Sequence, residues 1–201
     1  AEPGRRRRRV AELRAVPSRR QQILDTSAAL FALRSFGAVT VDEIGAAIGV
    51  SGPALYHHFD SKEALLGEML VSVSERLVAG ASQLSGLAAL IEFHCEFAVD
   101  NVDLIVVQTR DLIHASEADA RTVRRLQNRY IGLFEHALRT EFAIDEAVAS
   151  VAVRAMFGLI NSTPHSGRVP AHEMVRLLAT MATAALAALA DRSIRATRQV
   201  G

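Results

Sequence analysis

Tryptophan is absent from this chain, and cysteine occurs once, at Cys95. A lone cysteine builds neither an internal disulfide framework nor a thiolate-based zinc site. Tyrosine and phenylalanine are few, whereas Ala, Leu, Arg and Glu are abundant. Because β-branched and aromatic residues are the usual strand formers, that balance favours helices. Asn-Gly and Asp-Gly, the strongest hairpin signals, do not occur. The most apolar segment, residues 177–190, is shorter than the ~20 residues a spanning helix needs, and no secretory leader is visible. A soluble, cytoplasmic protein with no membrane partner is the expectation. No Gly-rich phosphate loop, nucleophile elbow or metalloprotease motif is present, so the expectation is no enzyme and no cofactor. Of the 7 histidines none forms a His-x-x-x-His pair, and no metal site is expected.

What is present is ordinary globular material: 50% apolar and 22% charged residues in a chain of 201. A chain of that length buries roughly 70% of its unfolded surface. The net charge of +1 hides an asymmetry. Residues 1–20 hold eight arginines against Glu2 and Glu12, a local +6, so the rest of the chain carries −5. A basic arm on a mildly acidic body fits an anionic polymer as partner. The alternative is a solvated tail that binds nothing. Residues 1–17 lack apolar periodicity and end in Pro17, which reads as a flexible arm.

From Ser18 onward the pattern is helical. Ile23, Leu24, Ser27, Leu30, Phe31 and Arg34 follow a 3.6 spacing, with Ser18 as cap and Gly37 as stop. Thr40 and Glu43 form a capping-box pair before a short helix carrying Val41, Ile44, Ala47 and Ile48, which ends at Gly49. Ser51 caps a third helix with Pro53 in its first turn. Asp60 and Glu63 repeat the box before a long helix through Leu77. Helical stripes continue through Leu87–Ala98, Val102–Ile113 and Val123–Ala137. Residues 145–162 and 172–190 are apolar or small nearly all round, and a helix of that kind must be covered on every side. A core on one side and a second copy of the chain on the other would do so; the alternative is an internal pair in a monomer.

The stretch from Thr40 to Phe59 is two short helices joined by a tight turn at Gly49, with Ile44, Ile48, Val50 and Leu55 expected to lock their angle. Such a pair presents its second helix to a major groove while the first crosses the backbone. Ser51, Gly52, Ala54 and His57 are expected on the exposed side, small or polar enough for close approach to base edges. Tyr56 offers a hydroxyl to phosphate. Lys62 adds a cation at the start of the next helix, where backbone N–H groups can also meet a phosphate.

Thr40, Ile44, Ala47, Gly49-Val50-Ser51, Leu55-Tyr56, His58-Phe59, Ser61-Lys62-Glu63 and Leu65 resemble the tetracycline-repressor (TetR) family of regulators. The resemblance is close over residues 18–70 and extends further only as helix count and order. It implies an all-α chain: an N-terminal three-helix helix-turn-helix DNA-binding domain, then a larger helical ligand-binding and dimerisation domain. The expected division is 1–17 arm, 18–64 DNA-binding domain and 65–201 ligand-binding and dimerisation domain. The expected DNA contacts are Thr40, Ser51, Gly52, Pro53, Ala54, Tyr56, His57, His58 and Lys62. The arginine run Arg5, Arg6, Arg7, Arg8 and Arg9 is longer than the family's usual extension and suits a narrow, negative minor groove.

Less is legible in the C-terminal half. Expected ligand contacts are His94, Phe97, Arg110, His114, Tyr130, Phe134, Phe157 and Asn161. For His94 the alternative is a hydrogen-bonded core histidine, and for Arg110 and His114 it is surface ion pairing with Asp103 and Asp111. The aromatics are alternatively core. Residues 158–161 and 123–130 look similar to family members that sense acyl-CoA thioesters and other lipid catabolites. The function expected is a ligand-responsive regulator: a homodimeric repressor released from double-stranded palindromic operator DNA by a small apolar or acyl-CoA-type effector. The alternatives are an architectural DNA-binding protein without a ligand and a metal-responsive regulator.

Overall fold

The computed structural model describes residues 18–162 and 168–199, with side chains described through residue 189. The arm at 1–17, with Arg5–Arg9, lies outside the described residues. Among the described residues every regular element is helical: α1 (Arg19–Arg34), a 3-10 turn (Phe36–Ala38), α2 (Val41–Ala47), α3 (Gly52–Leu55) and α4 (Lys62–Ala81). Then follow α5 (Leu87–Asp100), α6 (Val102–Asp111), a second 3-10 turn (Leu112–His114), α7 (Glu117–Phe142), α8 (Glu146–Ile160) and α9 (Ala171–Gln199). No helix among the described residues is long and apolar enough to cross a membrane.

The helix ends follow side-chain chemistry. Ser18 Oγ accepts from the Gln21 amide, as expected of a cap. The far end of α1 differs: Ser35, not Gly37, takes the positive φ of 70°, and its amide bonds the Phe31 carbonyl. Helix α4 is capped by Ser61, which accepts from the Ala64 amide, so the start lies one residue beyond the expected Asp60 box. Between α5 and α6 the chain breaks at Asn101, whose side chain and amide both bond the Phe97 carbonyl at 2.9 Å.

Two hydrophobic cores stack along α4. The N-terminal one gathers Ile23, Phe31, Phe36, Ile44, Leu55 and Phe59, and closes with Leu65, Leu66, Met69 and Leu70. It also takes Val107 from α6 and Val123 from α7, so the C-terminal helices reach into it. The second core is built around Leu77, Ile91, Phe134, Leu138, Val153 and Ile160. Helices α8 and α9 bury Ala152, Val153, Met174 and Ala182 inward, while Val148, Val151, Leu177 and Met181 remain exposed. An apolar groove of about 610 Å³ runs there, lined by Val148, Val151, Ala155, Leu159, Ala185 and Leu189.

Candidate functional site

The turn between α2 and α3 is set by backbone hydrogen bonds. The Val50 amide bonds the Gly45 carbonyl at 2.9 Å and the Gly49 amide bonds the Ala46 carbonyl at 3.2 Å. With Gly49 at φ +72° this is a Schellman end, which needs a residue without a Cβ penalty at its left-handed position. Gly45 matters for another reason: a Cβ there would lie 2.8 Å from the Val50 carbonyl oxygen, so only glycine lets the turn fold back this closely. The start of α2 carries the expected capping box. Thr40 Oγ1 accepts from the Glu43 amide at 3.2 Å, and the Glu43 carboxylate accepts from the Thr40 amide at 2.8 Å. The Thr40 backbone hydrogen bond, then Arg34, hold the Glu43 carboxyl well below the ordinary carboxylate range, at about 2.

On this frame Ser51, Pro53, Tyr56, His57 and His58 are exposed and Ala54 is half-buried. Gly52 is a correction: it is buried rather than exposed, because α3 crosses α2 so closely that a Cβ would overlap the Asp42 carboxylate. Ile44 and Leu55 are buried as expected, while Ile48 and Val50 are half-buried. Lys62 is also placed differently. Its ammonium donates to the Phe36 and Val39 carbonyls at 3.0 and 2.8 Å and sits 4.3 Å from the Phe36 ring centroid. Those contacts tie α4 to the loop before α2, so Lys62 sets the frame.

Two arginines counted with the basic arm belong to the fold. Arg19 donates to the Ile48 carbonyl at 2.8 Å, at the end of α2. Arg20 donates to the His58 carbonyl and to both Glu68 carboxylate oxygens, and its guanidinium lies over the Phe59 ring. The side chain thus joins α1, α4 and the turn that follows α3. Nothing in the sequence separates these two from their neighbours except their position after Ser18.

A cavity of about 310 Å³ opens in the C-terminal half among α4, α5, α6, α7 and α8. His94, Phe97, Tyr130, Phe157 and Asn161, five of the candidate ligand contacts, line it. His94 is 4% exposed and both ring nitrogens are engaged. Nε2 faces Asn161 Oδ1 at 3.1 Å and Nδ1 faces the Tyr130 hydroxyl at 3.2 Å. An amide oxygen only accepts, so Nε2 carries the proton and Nδ1 accepts from Tyr130. Burial pushes the imidazole down to about 4 against the Asn161 hydrogen bond, so it is neutral; burial likewise pushes the Tyr130 phenol up. Phe97, Phe134 and Phe157 surround this triad, with the Phe157 ring edge-on to His94 at 4.6 Å. Phe134 stands behind the wall, fully buried.

Arg110 and His114 lie elsewhere. Arg110 donates to the Phe31 and Ala32 carbonyls in the last turn of α1 and forks onto the buried carboxylate of Asp111. His114 stacks on Phe36, ring centroids 5.1 Å apart. Neither joins the other candidate ligand contacts: the chain places both against the N-terminal core. The sequence reading also missed the polar lining: Gln108 and Thr109 of α6, Gln127 and Asn128 of α7, and Arg154 of α8. For Arg154 a signal existed, since it lies three and seven residues before Phe157 and Asn161, on one helical face. Helix α6 therefore faces both ways, giving Ile105, Gln108 and Thr109 to the cavity and Val107 and Arg110 to the N-terminal core.

The sequence model of the bacterial regulatory proteins of the tetR family matches residues 23–69. The KstR2 transcriptional repressor of Rhodococcus jostii (strain RHA1) is 50% identical over 52 residues, 26% of this chain and 26% of that protein. The match thus spans about a quarter of that relative's length. A TetR-family transcriptional regulator from Bordetella parapertussis 12822 superposes with a TM-score of 0.70 at 26% identity, over 81% of this chain and 95% of that one. AibR, solved with isovaleryl coenzyme A and operator DNA, superposes with a TM-score of 0.66 at 16% identity, over 82% of this chain and 97% of that one. Residues 23–69 thus match the tetR family of bacterial regulatory proteins, and the helical body that continues them superposes on a solved regulator of that family over 81% of this chain.

Proposed function

We propose that the protein is a ligand-responsive transcriptional regulator, a cytoplasmic homodimeric repressor that leaves a palindromic operator when a small apolar or acyl-CoA-type effector enters the C-terminal cavity. The observation that carries the reading is the exposed set Ser51, Pro53, Tyr56, His57 and His58, standing on a frame locked by Gly45, Arg19, Arg20 and Lys62. In this reading Tyr56 bonds a phosphate, while Ser51, Ala54 and His57 approach base edges; Thr40, Pro53 and His58 border the contact. The arm adds counterion release through Arg5–Arg9. A cavity with an apolar wall and a polar mouth supports the effector, as does a protein of the same fold that holds both isovaleryl coenzyme A and operator DNA. Coupling would run through α6, which touches both cavity and α1.

Selection of bound sequences from random duplex DNA tests this. The expected product is an inverted repeat. Tyr56→Phe should then weaken binding to all sequences alike, and His57→Ala should relax preference at particular base pairs. Recovery of only asymmetric sites would contradict the proposal.

A further inference from the structure

Among the described residues the C-terminal cavity is lined by no carboxylate, and its one formally charged side chain is Arg154. Arg154 is exposed at the cavity and takes part in none of the ion pairs formed by the described residues. It is also the single charge between Glu146 and Ile160, in a helix otherwise apolar or small. An arginine that serves neither an internal pair nor a helix end, on the same face as Phe157 and Asn161, is placed for an external anion. The apolar part of the lining is Leu77, Phe97, Ile105, Leu126 and Ile131. Gln108, Gln127 and Asn128 supply neutral hydrogen-bonding groups.

We infer that this cavity takes an amphipathic anion, an apolar chain ending in a carboxylate or carrying phosphate, with its charge held by Arg154. This rests on the cavity being the effector site proposed above. The volume of about 310 Å³ stands at the lower edge of the ~300–1,000 Å³ range of ligand pockets. It encloses a chain but no nucleotide, so the phosphates of a coenzyme A thioester would lie outside, across Arg154. His94 is a positioning residue here: with both nitrogens engaged by Tyr130 and Asn161, it fixes those two side chains.

Calorimetric titration of the full chain, without DNA, tests the inference with decanoate, decanoyl-CoA and decan-1-ol on wild type, Arg154→Gln and Arg154→Lys. At least one anion should bind wild type more than about 10-fold tighter than the alcohol, and Arg154→Gln should weaken that anion by about 10- to 100-fold. The alcohol should bind the Gln variant as it binds wild type, and Arg154→Lys should recover part of the loss. Binding of decanoate assigns a carboxylate; binding of decanoyl-CoA alone assigns the phosphate-bearing thioester. Equal anion affinity in wild type and Arg154→Gln, an alcohol as tight as the anions, or no binding of either anion would overturn it. Because DNA is absent, these outcomes are separate from the regulator reading, which fails instead if a bound anion leaves operator affinity unchanged.

Discussion

His94 shows how one side chain can link packing and polarity. Its imidazole is enclosed by three phenylalanine rings, yet each nitrogen has a partner, so burial costs little provided the ring stays neutral. Burial holds the folded-state value at about 4 against an ordinary 6.5. Between those values the unfolded chain binds more protons than the folded one, so this contribution is complete above the ordinary value and falls as pH drops towards the depressed one. Between about pH 7 and about pH 5, wild type should lose roughly 2 kcal/mol more stability than His94→Gln, whose amide does not titrate. Urea denaturation of both proteins at the two pH values measures it. Parallel losses would mean that the imidazole is accessible to protons in the folded state. The cations Arg19, Arg20, Lys62 and Arg110 carry a related point: each donates to carbonyls, at helix ends, in the turn after α3 or in the loop before α2, so their charge organises the frame.

Helix α4 runs through both cores, and its start is decided by a hydroxyl. The amide of Ala64 is satisfied by Ser61 Oγ at 3.0 Å. Ser61→Ala should therefore cost about 1 kcal/mol of stability, and Asp60→Ala clearly less. Thermal unfolding of the two variants compares them directly; equal effects would place the cap at Asp60. Here the sequence misled by one residue, because Asp60 with Glu63 has the spacing of a capping box and only backbone geometry makes the neighbouring Ser61 hydroxyl the cap. The capping box at Thr40 and the end at Gly49 were legible because each has one residue able to do the work. The same contrast holds for sites. The reading segment is local, so a contiguous pattern discloses it. The cavity draws on five helices, and helical spacing could find Tyr130, Phe157 and Asn161 but not that Arg110, one turn from His114, would turn toward α1. Gly52 looked like an exposed small residue, and only the crossing of α2 and α3 explains it.

At the scale of the molecule, the described residues leave an apolar face uncovered. Val151 on α8 is 70% exposed and shares its groove with Val148, Ala185 and Leu189, and Leu177 and Met181 of α9 are exposed as well. In the proposed dimer two such faces meet in an isologous contact. Ala182, within the apolar stretch 172–190, is buried in the chain's own core and would disrupt the fold if enlarged. Val151→Arg and Ala185→Arg are the informative variants, because both residues are exposed at the groove. Sedimentation should find wild type as dimer and both variants as folded monomers; folded dimers of both would move the interface elsewhere. A dimer would set two reading segments on one duplex, which is the basis for expecting a symmetric operator.

The central claim is sequence-specific recognition by the helix-turn-helix, and one measurement addresses it. Fluorescence anisotropy can compare affinity for the duplex recovered by selection with affinity for the same bases scrambled, at one salt concentration. The account predicts a preference of at least ~10³-fold. A ratio near one would contradict it and make the protein an architectural binder held by its basic arm.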